Sequence, residues 1–195
     1  MRIHTMRQAD ASGYALTLHK YLIDQFNVIH ICHNCGGSKM TLKNINSYIK
    51  TKPDYILFNA GLHDLSINLS SKKKLPAWSS LNEYKRNINK IFNLFLNKKI
   101  KKVFILSSAP VQKDWHKVKI NGIRRALTRK NNDIIRYNRA LKKLAFLNNF
   151  TFIDVFSPHH NNGIENYVLP DGEHLNDNGE QKISDIVSTT IMESL

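Results

Sequence analysis

The chain has 195 residues, of which 42% are hydrophobic and 23% are charged. This length and apolar content suit one compact domain, so we expect a single domain over residues 1–195. No apolar run approaches the roughly 20 residues of a membrane-spanning helix, the opening residues lack a hydrophobic signal segment, and two cysteines exclude a disulfide framework. These features predict a soluble, cytoplasmic protein without a membrane span.

The formal net charge is +14. A basic field attracts nucleic acid, anionic surfaces and acidic substrates alike, so the charge alone does not select a partner. No predicted strand interleaves the basic residues with aromatic side chains, as the sheets of RNA-binding domains do. We therefore do not expect nucleic acid to be the main partner.

Helical and strand-like patterns alternate along the first part of the chain. Residues 28–32 and 55–58 are short apolar runs typical of buried strands, and residues 42–49 form a helical pattern before Pro53. The first helix is predicted from apolar residues at helical spacing: Tyr14, Leu18, Tyr21 and Leu22.

The alternation continues to the last residues. Strands are predicted over residues 102–106 and 150–155, and the polar stretch 107–132 is interpreted as an active-site loop or lid. Two helices are predicted from apolar stripes: Leu81, Tyr84, Ile88, Ile91, Phe92 and Phe95, then Ile134, Tyr137, Leu141 and Leu144. The last helix begins near Asp177, which forms a plausible capping box with Glu180.

Continuous apolar strands separated by amphipathic helices indicate a parallel sheet that is covered on both faces. Right-handed crossovers then limit the topology to a three-layer α/β/α sandwich. In such sheets, ligands bind beyond the carboxyl ends of the strands.

Three polar segments lie where this fold places its functional edge: residues 33–38, 59–64 and 170–175. Asp171 and His174 are three positions apart on one predicted loop, so the carboxylate can fix the tautomer of the imidazole and stabilise its protonated form. The other ring nitrogen can then activate a hydroxyl. The alternative is an Asp-Gly surface turn beside an exposed histidine.

The block Asp171-Gly172-Glu173-His174-Leu175 resembles the last block of the SGNH/GDSL hydrolases, which carries their catalytic Asp and His. Residues 34–42 resemble the second block, whose glycine amide contributes to the oxyanion hole, and either Gly36 or Gly37 can be that donor. The resemblance implies a flavodoxin-like parallel sheet and ester hydrolysis without a metal or organic cofactor.

The third block of the family is normally Gly-x-Asn-Asp, whereas this chain has Gly61-Leu62-His63-Asp64. It is similar to a subgroup that carries Gly-Leu-His-Asp, so the resemblance implies that His63 completes the oxyanion hole. A preorganised donor contributes on the order of 3 kcal/mol to transition-state stabilisation, and an imidazole N–H can serve if its tautomer is held. Alternatively, His63 packs beneath the loop.

The nucleophile is where the resemblance fails. The family opens with an apolar strand followed by Gly-Asp-Ser, but residues 1–8 of this chain show no such motif, and the first strand is short or missing. An ungapped comparison places Thr5 on the serine and His4 on the aspartate. Ser12 is the alternative nucleophile, or else the N-cap of the first helix. We expect Thr5 to lie closer to His174 than Ser12 does.

A competing chemistry is the Cys-x-x-Cys pair Cys32-His33-Asn34-Cys35, since such pairs bind zinc or exchange disulfides. Zinc needs further ligands, no second pair exists, and a thioredoxin motif would open directly into a helix. His30, His33 or the pair His159-His160 remain possible ligands, but we expect Cys32 to pack as a strand residue.

The leading functional hypothesis is a carbohydrate O-acetylesterase or deacetylase that acts on a small-molecule or polysaccharide ester. The rival is a non-catalytic module that binds a polysaccharide or another acidic partner through its basic surface. The identity of the nucleophile separates the two hypotheses, and the sequence predicts no oligomeric state.

Overall fold

The computed structural model describes residues 1–6, 14–31, 36–68, 78–112, 119–120, 123–124 and 127–195. Within these ranges the strands are β1 (Arg2–Met6), β2 (Asn27–His30), β3 (Tyr55–Asn59), β4 (Ile67–Asn68), β5 (Lys102–Leu106), β6 (Lys119–Ile120), β7 (Ile123–Arg124), β8 (Leu127–Thr128) and β9 (Thr151–Ile153). The helices are α1 (Tyr14–Leu22), α2 (Ser38–Tyr48), α3 (Leu81–Asn97), α4 (Asn131–Leu147), α5 (Phe156–Asn161) and α6 (Asp177–Glu193), and a short 3₁₀-helix covers Ile164–Asn166.

The main sheet has five parallel strands in the order β2-β1-β3-β5-β9. This order is that of flavodoxin-like sheets, with consecutive strands added outward on either side of the first. Two small antiparallel pairs, β4 with β8 and β6 with β7, lie outside the main sheet.

Alternate strand residues face opposite layers of helices, which confirms the predicted sandwich. Ile56 and Phe58 pack with the buried side chains of α2, α3 and α4. Tyr55 and Leu57 face the other way and pack with the buried side chains of α1 and α6. Successive side chains of a strand point to opposite faces of the sheet. Because helices cover both faces, the central strands are apolar at consecutive positions.

The opening strand is present, and its five residues make it as long as β3 and β5. β1 lies between β2 and β3, and its residues 2–5 are in register with residues 27–30 of β2. Ile3 is fully buried against the α1 and α6 layer. Because β1 pairs with both neighbours, neither β2 nor β3 has an unpaired edge toward the centre of the sheet.

The sequence of helix α3 determines where the helix begins and which of its faces is buried. The hydroxyl of Ser80 caps its first turn by accepting from the Glu83 amide at 3.2 Å. The predicted stripe is buried from Tyr84 to Phe95, and each such side chain contributes roughly 1.5–3 kcal/mol relative to exposure.

Over the described ranges, no helix combines the length and the apolar character needed to cross a membrane.

Two local predictions need correction, and one helix was not predicted. The polar stretch 107–132 contains β6, β7 and β8, and α4 already begins at Asn131. The N-cap of α6 is Asn176 instead of Asp177, because the Asn176 side chain accepts from the Gly179 amide at 3.0 Å. The sequence did not predict α5. Pro158 lies in the first turn of this helix, where backbone N–H groups have no partner within the helix, so proline removes no helical hydrogen bond there.

Candidate active site

Asp171 and His174 lie on the loop that leads into α6, and the hydrogen bond predicted between them is present. His174 Nδ1 is 2.5 Å from Asp171 Oδ2, while the amides of Glu173 and His174 each donate to Oδ1 at 2.9 Å. The carboxylate side chain is 13% exposed and the imidazole is 61% exposed. The pair therefore combines a sheltered anion with a histidine ring that solvent and substrate can reach.

The electrostatics of Asp171 keep it charged. Partial burial raises the pKa of its carboxyl, but hydrogen bonds from the Glu173 amide and from the ring and amide of His174 outweigh burial and hold the pKa below its ordinary value. A carboxylate that stays ionised can fix the imidazole tautomer and stabilise the imidazolium.

The loop itself is held at both ends. Gly172 adopts φ 74°, a left-handed conformation that favours glycine, and its carbonyl accepts from the Gln112 amide at 2.8 Å. Residues 107–112 follow β5, so this bond places the loop at the carboxyl edge of the sheet. The backbone of Leu169 accepts from Gly172 and donates to the His174 carbonyl, which closes the turn.

The glycine turn before α2 is fixed by Asp64. Gly36 adopts φ 60°, and Gly37 is the N-cap of α2. The buried Asp64 carboxylate accepts from the Ser38 amide at 2.9–3.0 Å and from the Ser38 hydroxyl at 2.6 Å. A Cβ on Gly37 would lie 3.3 Å from the Asp64 carboxyl group, so the turn packs directly on the residue that follows His63.

His63 is half-buried, and its ring centroid lies 6.3 Å from that of Trp78. Two buried tyrosines lie beneath this region. The Tyr84 hydroxyl donates to the Ala60 carbonyl in the loop of His63 at 3.0 Å, and the Tyr137 hydroxyl donates at 2.5 Å to the carbonyl of Ser79, the residue after Trp78. Burial, with the nearby Asp64 charge, raises the pKa of Tyr137 to about 12. Both phenols therefore remain neutral donors beneath the loop.

Arg129 joins this loop to the loop of His174, and sequence reasoning missed it. Its Nε donates to the Leu62 carbonyl at 2.7 Å, and its Nη1 pairs with the Glu173 carboxylate. A single arginine in a long polar stretch gives no pattern that would single it out. Together, Asp64 and Arg129 tie the three predicted segments into one constellation.

Residues 19–187 match the sequence profile described as GDSL-like lipase/acylhydrolase. The chain belongs to this family. This match confirms the predicted resemblance. Membership of the family supports the prediction that the protein is a carboxylic ester hydrolase. No curated protein sequence matches the chain significantly.

Solved structures agree with the GDSL-like assignment at the level of the fold. A lipase/acylhydrolase from Enterococcus faecalis has a TM-score of 0.76 at 13% identity, covering 100% of this chain and 96% of that one. The acetyl xylan esterase AlAXEase has a TM-score of 0.73 at 17% identity, covering 98% and 100%. An acetylxylan esterase from Geobacillus stearothermophilus has a TM-score of 0.68 at 14% identity, covering 97% and 93%.

Thr5, one of the two residues predicted for the GDSL-like nucleophile position, is bonded to another histidine in the sheet. Thr5 is 2% exposed within β1, and its hydroxyl lies 2.5 Å from Nδ1 of His30. His30 Nε2 is in turn 3.1 Å from His19 Nδ1. In the described part of the chain, the His174 ring bonds to Asp171 and to no hydroxyl. Among the described residues, no hydrogen bond joins Thr5 to His174, and Ser12 lies outside those residues, so their relative distances from His174 stay a prediction.

His4, which the ungapped comparison placed on the family's aspartate, is fully buried on the opposite face of β1. Its Nδ1 lies 3.1 Å from the Tyr48 carbonyl and its Nε2 lies 3.0 Å from the Thr51 hydroxyl. Burial lowers the pKa of its imidazole below the ordinary value. His4 is therefore a neutral packing residue beneath α2.

Three residues of the predicted metal or redox motif lie outside the described residues: Cys32, His33 and Cys35. Within the part that the structure describes, no three His, Cys, Asp or Glu side chains cluster closely enough to hold a metal ion. His159 is buried, with Nδ1 2.7 Å from the Val155 carbonyl, so it supports α5.

Proposed function

We propose that residues 1–195 act as one domain that hydrolyses O-acetyl esters of carbohydrates. The observation that carries this proposal is the 2.5 Å contact between Asp171 and His174 on the loop that enters α6. Membership of the GDSL-like lipase/acylhydrolase family supplies the reaction class.

The chemistry is acyl transfer to a hydroxyl. His174 Nε2 accepts the proton of the nucleophilic hydroxyl, which attacks the acetyl carbon, while Asp171 stabilises the imidazolium. The oxyanion binds to the amide of Gly36 or Gly37 and to His63. His174 then donates its proton to the departing sugar oxygen. Water attacks the acyl-enzyme by the same route, releasing acetate and restoring the hydroxyl.

We propose Ser12 as the nucleophile in preference to Thr5. The Thr5 hydroxyl is buried and committed to His30, and a secondary hydroxyl is more hindered than that of serine. Ser12 is the remaining serine of the opening segment, just before Gly13.

A carbohydrate substrate has two lines of support. Two of the similar folds belong to acetyl xylan esterases, although at 14% and 17% identity. In addition, Trp78 is 57% exposed and lies beside His63. An indole presents a broad apolar face together with one hydrogen-bond donor, which suits a sugar ring with an apolar face and polar edges.

The test compares p-nitrophenyl acetate with acetylated xylo-oligosaccharides as substrates. We expect the unmodified protein to cleave both and His174→Ala to cleave neither, with an unchanged thermal unfolding temperature because the ring is exposed. His160→Ala is the matched control, since His160 is an exposed histidine on α5. Unchanged turnover in His174→Ala would contradict the proposed mechanism.

Trp78→Ala separates the carbohydrate claim from the ester claim. We expect it to raise KM for the acetylated oligosaccharide at least about fivefold while leaving KM for p-nitrophenyl acetate within twofold, since stacking is worth on the order of 1 kcal/mol. Equal effects on the two substrates would show that Trp78 does not bind the sugar, and the protein would then be an esterase without this carbohydrate contact.

A non-catalytic binding module is the second candidate, favoured by one observation: the Thr5 hydroxyl is bonded to His30 instead of His174. This reading predicts that no ester is cleaved while polysaccharide binding persists. Calorimetric titration with xylo-oligosaccharides, in parallel with the ester assay, distinguishes it from the enzyme.

A further inference from the structure

Arg129 is a buried cation placed between two loops of the candidate site. The residue is 5% exposed, whereas arginine is seldom buried without partners that satisfy its charge and donors. Its guanidinium pairs with Glu173, whose side chain is 10% exposed. An ion pair this sheltered is screened little by solvent, so its geometry is strongly constrained.

Two acceptors of Arg129 among the described residues have a common property: each belongs to the residue just before a predicted functional histidine. The Leu62 carbonyl, 2.7 Å from Nε, precedes His63, and the Glu173 carboxylate precedes His174. The backbone of the oxyanion loop and the loop of the base are thus held by one planar group.

We propose that Arg129 is a positioning residue that sets the separation between His63 and His174. This inference rests on the proposed function, in which one histidine binds the oxyanion and the other transfers the proton. Both must contact the same tetrahedral centre, and misplacement of a catalytic group by about 1 Å can reduce the rate by about 100-fold.

Arginine suits this task because its donors lie in one rigid plane. The guanidinium can donate to Leu62 along one direction and to Glu173 along another without internal rotation. A lysine ammonium at this position keeps the charge opposite Glu173, but it is a point charge on a flexible stem. Arg129→Lys therefore preserves the ion pair while loosening the link between the loops.

The competing explanation is that the pair only stabilises the fold. Buried ion pairs are weak evidence for stability, because the desolvation of both ions offsets much of their attraction. A purely structural role predicts changes in unfolding temperature without a specific loss of kcat. The two explanations therefore differ in kinetics and in the environments of the two histidine rings.

The experiment compares Arg129→Lys and Glu173→Gln with Arg136→Gln as the control. Arg136 lies on α4, shortly after Arg129 in the sequence, but its pair with Asp133 is exposed and 3.4 Å long. With p-nitrophenyl acetate, we expect kcat of Arg129→Lys to fall at least tenfold and KM to stay within twofold. Arg136→Gln should match the unmodified protein.

NMR spectra of the histidine rings give a second measurement that does not need activity. We expect the ring resonances of both His63 and His174 to shift in Arg129→Lys and in Glu173→Gln, and neither to shift in Arg136→Gln. A folded Arg129→Lys protein with unchanged kcat and unchanged rings would overturn the proposal. If the unmodified protein cleaves no ester, the proposed function fails, and the ring shifts alone still decide whether Arg129 holds the loops together.

Discussion

The carboxylate of Asp64 receives both the amide and the hydroxyl of Ser38, although the two residues are 26 positions apart. The contact is fully buried. This contact fixes the start of α2 and the Gly36-Gly37 turn. Because Asp64 follows His63 in the sequence, it also holds that turn next to the loop of His63. The proposed oxyanion donors in this turn therefore depend on one buried carboxylate.

Asp64→Asn should destabilise the protein by about 1.5–3 kcal/mol, because a hydrogen bond to a buried charged acceptor is lost and an amide donor faces the Ser38 amide. Urea unfolding measures the change. Asp133→Asn is the control, since its exposed pair with Arg136 should contribute less than about 1 kcal/mol. Equal losses in the two variants would show that Asp64 does not organise the turn.

Asp171→Asn should lower kcat for p-nitrophenyl acetate by about 10³- to 10⁴-fold, because a neutral amide neither stabilises the imidazolium nor holds the catalytic tautomer. KM should change little. The low pKa of Asp171 means that its stabilising contribution is present at neutral pH and is lost only as pH falls through the native-state pKa, below 3.8. A variant with full kcat at pH 7 would exclude Asp171 from the mechanism.

A fluorophosphonate probe should label Ser12, as identified by mass spectrometry of the digested protein, because such probes react with an activated hydroxyl. Ser12→Ala should lose the label and turnover. Thr5→Ala should keep the label while losing about 1 kcal/mol of stability with the His30 hydrogen bond. Labelling at Thr5 would reverse the assignment, and labelling at neither residue would favour the binding module.

Gly179→Ala should destabilise the protein by about 3 kcal/mol or more, because the added Cβ would lie 2.2 Å from the Tyr167 carbonyl oxygen, a backbone atom. The first turn of α6 would shift and carry the His174 loop with it. The neighbouring Asn178→Ala is the control, since Asn178 is exposed. Thermal unfolding checks the difference, and similar unfolding temperatures would contradict this packing.

His159→Gln should flatten the dependence of stability on pH below neutrality. Burial lowers the pKa of His159, against hydrogen bonds to the Val155 and Gly179 carbonyls. The unfolded chain then binds a proton near pH 6.5 that the folded chain does not, so stability falls as pH drops below about 6.5. The slope should decrease by at most about 1.4 kcal/mol per pH unit. His160→Gln, at an exposed position, should keep the original slope.

The sequence determined the features that local periodicity encodes. The stripe of α3 and the strand Lys102–Leu106 were predicted because burial repeats at 3.6 residues in a helix and apolar runs mark strands buried on both faces. The hydrogen bond between Asp171 and His174 was also predictable. Its partners are three residues apart on one loop, so little chain entropy opposes their meeting.

Only the tertiary structure decided the long-range pairings. Arg129 contacts Leu62, 67 positions away, and Glu173, 44 positions away, while the Thr5 hydroxyl meets His30 instead of His174. The Thr5 contact follows from the register of β1 beside β2, in which Thr5 pairs with His30. The Arg129 contacts follow from the way the segment just before α4 packs against the loops of His63 and His174. Register and packing depend on the simultaneous burial of many side chains, which no local spacing specifies.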